Sequence, residues 1–338
     1  MSTNIFAYSN KGCELAKKVM SIFPEADCYT TEKLAALYGF NAEKSVCKKS
    51  GELFKSSKVM IFIGACGIAV RAIAAHVRNK TVDPAVIVID DCGNHVISLL
   101  SGHIGGANEL TLLIAKEIGA NPVITTATDV NGRFSVDSWA VKNSLVISNM
   151  KTAKDISAQI LIEDIPFKSD ISVFGDIPNG LIKGENGKIG IYISYKTDTP
   201  FDNTLRLIPK NLHVGLGCRR DTPIENIDEL YRCILDEYKI DIRAIKSISS
   251  IDLKEDEAGL LQFAQKYKLP ANFYTADELN ALDENFTPSE FVKSITGIDN
   301  VCERAAFKSS NCGNFILRKI AKNSVTIAIC EENLELLF

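Results

Sequence analysis

The chain has 338 residues, 46% hydrophobic and 24% charged, which is enough for two or three domains that each bury a core. Its 38 Lys and Arg against 42 Asp and Glu leave a net charge of −4, without the basic excess of a nucleic-acid-binding surface. The longest apolar run, 59–70, is broken by glycines and too short to cross a bilayer, and the opening MSTNIFAYSNKG lacks the basic and apolar regions of a secretory signal. The ten cysteines stand at wide, irregular gaps without a Cys-x-x-Cys, so free thiols in the cytoplasm are expected rather than disulfides or a metal centre.

In chain order, a strand is predicted over 4–8 and a helix over 12–22. Residues 59–63 read as a buried strand that ends in Gly64-Ala-Cys-Gly67, with a helix over 68–75. Strands follow over 85–89 and 95–99. Residues 107–118 form a helix, with Leu110, Leu113 and Ile114 on one face and Gly119 beyond its end. A further strand starts at 122–125. This alternation predicts an α/β domain over 1–140 with a mostly parallel sheet. From 141 to 208 a helix over 152–162 precedes a turn-rich stretch with Pro166, Gly175, Gly184 and Gly187, which reads as a small β-rich middle unit built from hairpins. Residues 209–338 predict a second α/β domain. Its strands lie over 212–216, 245–248 and 325–330. Thr222-x-x-Glu225, with Pro223 at the first helical position, and Thr275-x-x-Glu278 read as capping boxes. The expected fold class is therefore two α/β domains with mostly parallel sheets flanking a small β-rich unit. Glu257 and Glu303, on expected helices, read as solvated or capping residues.

Three glycine turns carry the candidate chemistry. Ser101-Gly-His-Ile-Gly-Gly106 leads into a helix and has neither a nucleophile-elbow pattern nor the lysine of a phosphate loop. A Ser101–His103 couple, an anion seat at the helix N-terminus and a plain tight turn all stay open for it. Gly64-Ala-Cys-Gly67 is followed by Arg71, and Gly215-Leu-Gly217 is followed by Arg219 and Arg220. Glycine lets a backbone approach a ligand, arginine suits carboxylate or phosphate, and in open α/β sheets ligands sit beyond the carboxyl ends of strands. The three turns together point to a ligand with several negative groups. Asp129, just past a strand end, is a candidate base, and the adjacent Asp90 and Asp91 read as a loop start.

These segments resemble a known family. Gly64-Ala-Cys-Gly-Ile-Ala-Val-Arg71, Leu99-Leu-Ser-Gly-His-Ile-Gly-Gly-Ala-Asn108 and Ile124-Thr-Thr-Ala-Thr-Asp129 are similar to the amino-terminal signature of the cobalt-precorrin-5A hydrolase (CbiG) family. Val214-Gly-Leu-Gly-Cys-Arg-Arg220, Asp256-Glu-Ala-Gly-Leu-Leu261 and Pro288-Ser-Glu-Phe291 are similar to its carboxyl-terminal part. The chain departs from the family at Ala75, where proline is usual, and at Leu317-Arg-Lys-Ile-Ala321, which keeps Lys319 and lacks a second lysine. The resemblance implies opening of a δ-lactone on a tetrapyrrole in anaerobic cobalamin biosynthesis, with release of acetaldehyde. It implies no added cofactor, because cobalt arrives in the substrate. Transient handover between pathway enzymes is expected, with no nucleic-acid or membrane partner. On this resemblance His103, Ser101 and Asp129 are the catalytic candidates, and His103 could equally ligate cobalt. Gly64, Gly67, Arg71, Gly102, Gly105, Gly106, Asn108, Gly215, Gly217, Arg219 and Arg220 would bind substrate. A corrinoid carrier and a phosphosugar-binding module are the competing functions.

Overall fold

The computed structural model describes residues 2–80 and 82–338. The chain forms two compact units, Met1–Trp139 and Ala140–Phe338.

The first unit runs β1 (Thr3–Ala7), α1 (Asn10–Ile22), β2 (Asp27–Thr31), α2 (Glu32–Tyr38), β3 (Asn41–Glu43), α3 (Val46–Leu53), β4 (Val59–Ile63), α4 (Cys66–Ile73), β5 (Ala85–Ile89), β6 (His95–Leu100), α5 (Ala107–Ile118), β7 (Asn121–Val123), α6 (Ala127–Val130) and the start of α7 (Val136–Lys142), whose last residues belong to the second unit. Its seven strands form one sheet in the order β3-β2-β1-β4-β5-β6-β7. β1, β4 and β5 are buried along their whole length, because helices cover both faces. Such strands need apolar residues at every position, which is why they read as continuous hydrophobic runs. Alternate residues serve opposite faces. Ile61, Ile63, Ile87 and Ile89 pack with Leu15 and Val19 of α1 and Ile114 of α5. Met60, Phe62, Val86 and Val88 pack with Ala69, Ala72 and Ile73 of α4.

Two strands, β6 and β7, run against the others. The Asp90 carboxylate accepts the N–H groups of Cys92 (3.0 Å) and His95 (2.5 Å), closing a tight turn. β6 then returns antiparallel to β5, with Ile89 opposite Val96 and Val86 opposite Leu100. β7 runs parallel to β6. The segments that follow β6 and β7 therefore emerge at the amino edge of the parallel strands, not at their carboxyl edge.

The second unit continues with β8 (Leu145–Ile147), α8 (Met150–Gln159), β9 (Ile165–Ser169), β10 (Val173–Phe174), β11 (Leu181–Lys183), β12 (Ile189–Ile193), β13 (Asn203–Pro209), β14 (Leu212–Cys218), α9 (Ile224–Glu237), β15 (Ile245–Ile251), α10 (Ala258–Tyr267), β16 (Ala271–Tyr274), α11 (Ala276–Asn280), α12 (Glu290–Thr296), α13 (Val301–Ser309), β17 (Asn314–Lys322), β18 (Val325–Glu331) and β19 (Leu336–Leu337). Its two five-stranded sheets have the orders β11-β9-β12-β13-β8 and β16-β15-β14-β18-β17, and β10 pairs with β19. The turn-rich middle stretch does not form the expected hairpins. β11, β9, β12 and β13 pair in parallel, and its prolines and glycines lie largely in the crossovers between them. In the last sheet Val214 and Leu216 face a core shared with Ile227, Tyr231, Leu260 and Phe263. The alternate position Gly215 faces α13 on the other side, where an added Cβ would lie 1.8 Å from the Cys302 carbonyl oxygen.

The Thr275 capping box forms as expected: Thr275 Oγ1 accepts the Glu278 N–H (3.2 Å) and the Glu278 carboxylate accepts the Thr275 N–H (2.9 Å). The box at Thr222 does not form. Its hydroxyl donates back to the Arg219 carbonyl (2.8 Å), and Pro223 takes the N-cap position of α9. Among the described residues no helix is long and apolar enough to cross a membrane.

Candidate functional site

The turn after β6 is held by its own backbone. Ser101 adopts φ 56° and Gly106 φ 81°, both in the left-handed region. A Cβ at Gly105 would lie 2.5 Å from Ser101 Cβ and 2.7 Å from its carbonyl oxygen, so only glycine fits there. The N–H groups of Gly106, Ala107 and Asn108 donate to the carbonyls of His103 (2.9 Å), Ser101 (3.2 Å) and Gly102 (2.9 Å). The expected anion seat at the start of α5 is thus filled by the turn itself. Ser101 is buried and its hydroxyl donates to the Asp83 carbonyl (3.1 Å). Among the described residues no hydrogen bond joins Ser101 to His103, so the Ser101–His103 couple, one of the three readings left open for this turn, does not form.

His103 is instead the centre of a carboxylate sandwich. Its Nδ1 lies 3.0 Å from Asp137 Oδ1 and its Nε2 2.7 Å from Asp129 Oδ2. The Asp137 side chain is 3% exposed, His103 13% and Asp129 37%, so the cluster opens to solvent on the Asp129 side. Lys80 Nζ reaches the second oxygen of Asp137 at 2.7 Å. Asn108 donates to Asp129 Oδ2 (3.2 Å) and Thr126 Oγ1 (3.1 Å), and accepts from Ser98 Oγ (2.7 Å). A Cβ at Gly102 would lie 2.6 Å from the Asn108 side-chain oxygen. Gly102, Gly105, Gly106 and Asn108 therefore shape and orient this cluster from within.

Burial disfavours a charge on His103, but its bonds to Asp137 and Asp129 outweigh that and raise its pKa above the usual 6.5. Burial likewise pushes the Asp137 carboxyl up, and the bonds from His103 and Lys80 overcome it, holding that group well below the carboxylate range. Both carboxylates thus favour the imidazolium form, in which each ring nitrogen donates. A raised folded pKa stabilises the fold fully below the unfolded value, and that stability is lost as pH rises through the folded value. His213 runs the other way, since burial lowers its pKa despite Glu332. The difference between wild type and His103→Gln isolates the His103 contribution. Urea midpoints should show it shrinking as pH rises from about 6.5. A pH-independent difference would contradict the sandwich.

Asp137 and Lys80 were not legible as site residues. Asp137 is 34 positions from His103 in the stretch that reads as a domain break, and Lys80 lies in a loop.

The remaining expected ligand residues lie elsewhere. Gly64, with φ 152°, follows β4 at the carboxyl edge of the parallel strands, where its N–H donates to the Ile89 carbonyl (2.8 Å). Arg71 folds back along α4, its Nη1 3.3 Å from the Gly67 carbonyl. The antiparallel return of β6 puts His103 at the opposite edge, so these residues and the His103 turn do not form one grip. Arg71→Ala should therefore leave turnover within about twofold, as an exposed charge at the edge opposite His103. A tenfold loss in a steady-state assay would restore it to the site.

In the second unit the end of β14 borders a cavity of about 790 Å³ lined by Gly217, Arg219, Arg220, Lys254, Phe291 and Lys319, among others. Gly215 is not among its lining residues and serves the packing of α13. Burial pushes the Cys218 thiol up, and it holds the Cys302 thiol up at about 12, so neither cavity cysteine is a thiolate at neutral pH. Glu257 and Glu303 are buried rather than solvated. Glu257 pairs with Lys254 (2.9 Å). Glu303 accepts the Thr287 N–H (2.9 Å), the Thr287 hydroxyl (2.8 Å) and the Lys319 N–H (2.8 Å), tying three segments together.

Both units have relatives. Residues 49–129 match the family described as Cobalamin synthesis G N-terminal, and residues 212–330 match Cobalamin synthesis G C-terminus. A protein of Salmonella typhimurium named cobalt-precorrin-5A hydrolase is 35% identical over 342 residues, covering 97% of this chain and 97% of that one. A protein of Priestia megaterium with the same name is 32% identical over 352 residues, covering 96% of this chain and 93% of that one. With both halves matched in order and the identity running nearly end to end, the chain belongs to the CbiG family of cobalamin biosynthesis.

Proposed function

We propose that the protein is a cytoplasmic cobalt-precorrin-5A hydrolase that opens the ring-A δ-lactone and releases acetaldehyde, leaving cobalt-precorrin-5B. The observation that carries the chemistry is His103 held between a buried and a solvent-facing carboxylate. Asp129 reaches water and takes its proton as the water oxygen attacks the lactone carbonyl. The lactone C–O bond breaks as the tetrahedral intermediate collapses, and the alkoxide takes a proton from the Asp129–His103 pair. The same pair then removes the proton of the freed hydroxyl. The carbon–carbon bond breaks, its electron pair passes into the macrocycle, and the two-carbon fragment leaves as acetaldehyde. The macrocycle is finally protonated by the pair, so the sum is addition of one water. Asp137 and Lys80 touch no reacting atom and act by positioning His103. No added cofactor is needed, since cobalt belongs to the substrate.

Asp137→Asn should lower kcat about 10²-fold with little change in KM and shift the alkaline limb of the pH profile down, because the imidazolium loses its buried partner. An unmoved pH profile would reduce Asp137 to a structural residue. The reaction itself is tested by anaerobic incubation with cobalt-precorrin-5A and trapping of volatile aldehyde. Acetaldehyde in stoichiometric yield supports the reading. A bound but unconverted corrinoid would make the protein a carrier. The phosphosugar alternative loses support at the His103 turn, since the amides it would use there are bonded within the turn.

A further inference from the structure

We infer that the cavity of the second unit binds a tetrapyrrole polycarboxylate, with Lys319 and Arg219 contacting carboxylates and Phe291 and Ile295 offering a platform to the ring face. The identity of the ring rests on the hydrolase reading. The charge and shape of the ligand rest on the cavity itself. Five cations line it, and no Asp or Glu does. Three of the five are already committed: Arg220 to Asp256, Lys254 to Glu257 (2.9 Å) and Lys322 to Glu229 (2.8 Å). Among the described residues no carboxylate pairs with Arg219 or with the half-buried Lys319. A partly desolvated cation without a counter-ion is costly, and an anionic ligand removes that cost.

The apolar side is built as deliberately. None of the α12 residues is buried, and Phe291 and Ile295, one helical turn apart, are 61% and 62% exposed. Both line the cavity, and the Arg219 guanidinium sits 5.8 Å from the Phe291 ring centroid. An apolar wall facing two unpaired cations fits a ligand with a flat apolar body and acidic arms, rather than a free phosphate or a sugar. The buried Glu303 sets the spacing of these parts. It holds the backbone of Lys319 on one side and Thr287, just before α12, on the other. Asn300 adds a bond from its side-chain amide to the Thr287 carbonyl (2.9 Å).

The test is titration of the full chain with uroporphyrin, a tetrapyrrole ringed by carboxylates, read by its absorbance, alongside its neutral methyl ester. Lys319→Ala should raise Kd about tenfold and Lys319→Ala with Arg219→Ala about a hundredfold, with most affinity kept in Lys319→Arg. Phe291→Ala should weaken the acid and the ester alike. His103→Ala should bind as wild type does. An unchanged Kd in the double variant, or an equal loss in His103→Ala, would overturn the inference while leaving aldehyde release intact. Binding that maps to Lys319 without any acetaldehyde from cobalt-precorrin-5A would keep the cavity and remove the hydrolase reading.

Discussion

His103→Ala should lower kcat for acetaldehyde release by about 10²–10⁴-fold, the range lost with a positioned acid–base group, while KM moves by less than about threefold. The ring bonds both carboxylates of the sandwich, so its loss removes the proton store and leaves the buried Asp137 with Lys80 as its cation, beside the Ser135 hydroxyl and the Ser138 N–H. Among the described residues, the Asp129 side chain would then keep its bond from Asn108. Rapid-quench measurement of acetaldehyde with both proteins decides it. A kcat near wild type would move the chemistry away from this turn, and a KM raised with kcat intact would make His103 a binding residue.

Gly215→Ala should be the most damaging small substitution in the second unit. The new methyl would lie 1.8 Å from the Cys302 carbonyl oxygen and 2.8 Å from the Ala306 nitrogen, both backbone atoms of α13 that cannot rotate aside. Separating α13 from β14 would loosen the packing of Ala306 and Phe307 against Ala328. Overpacking of this kind costs about 3 kcal/mol or more. For a unit of about 200 residues that lowers Tm by about 6–12 °C. Gly217→Ala is the control. Its nearest neighbour is the Thr326 hydroxyl, a side-chain atom that can turn, so the loss should be smaller and should appear in ligand affinity instead. Equal melting of the two variants would show that α13 adjusts freely.

Much of the architecture was legible because its signals are local. β4, β5 and α5 lie on the residues expected for them, since continuous apolar runs and a terminal glycine need no partner to be read. The direction of β6 was not legible, because an apolar strand reads the same whichever way it pairs. That single reversal separates Gly64 and Arg71 from His103, which the sequence placed in one grip. Burial of Glu303 was hidden for a related reason. Its partners Thr287 and Lys319 lie 16 residues away on either side, and on a helix the residue alone reads as solvated. The box at Thr222 failed because a nearby carbonyl competed for its hydroxyl.

The reversal at β6 also bears on how the first unit folds. Every other neighbouring pair in its sheet is parallel and must wait for a crossover to close. β5 and β6 meet across the short connection 90–94, so their contacts are local and cost little loop entropy. This hairpin is expected to form ahead of the rest and to deliver the His103 turn onto an already ordered edge. Pulse-labelled hydrogen exchange would show the amides of 86–89 and 96–100 protected before those of β1. The reverse order would mean that the long-range parallel core forms first and the His103 turn is shaped last.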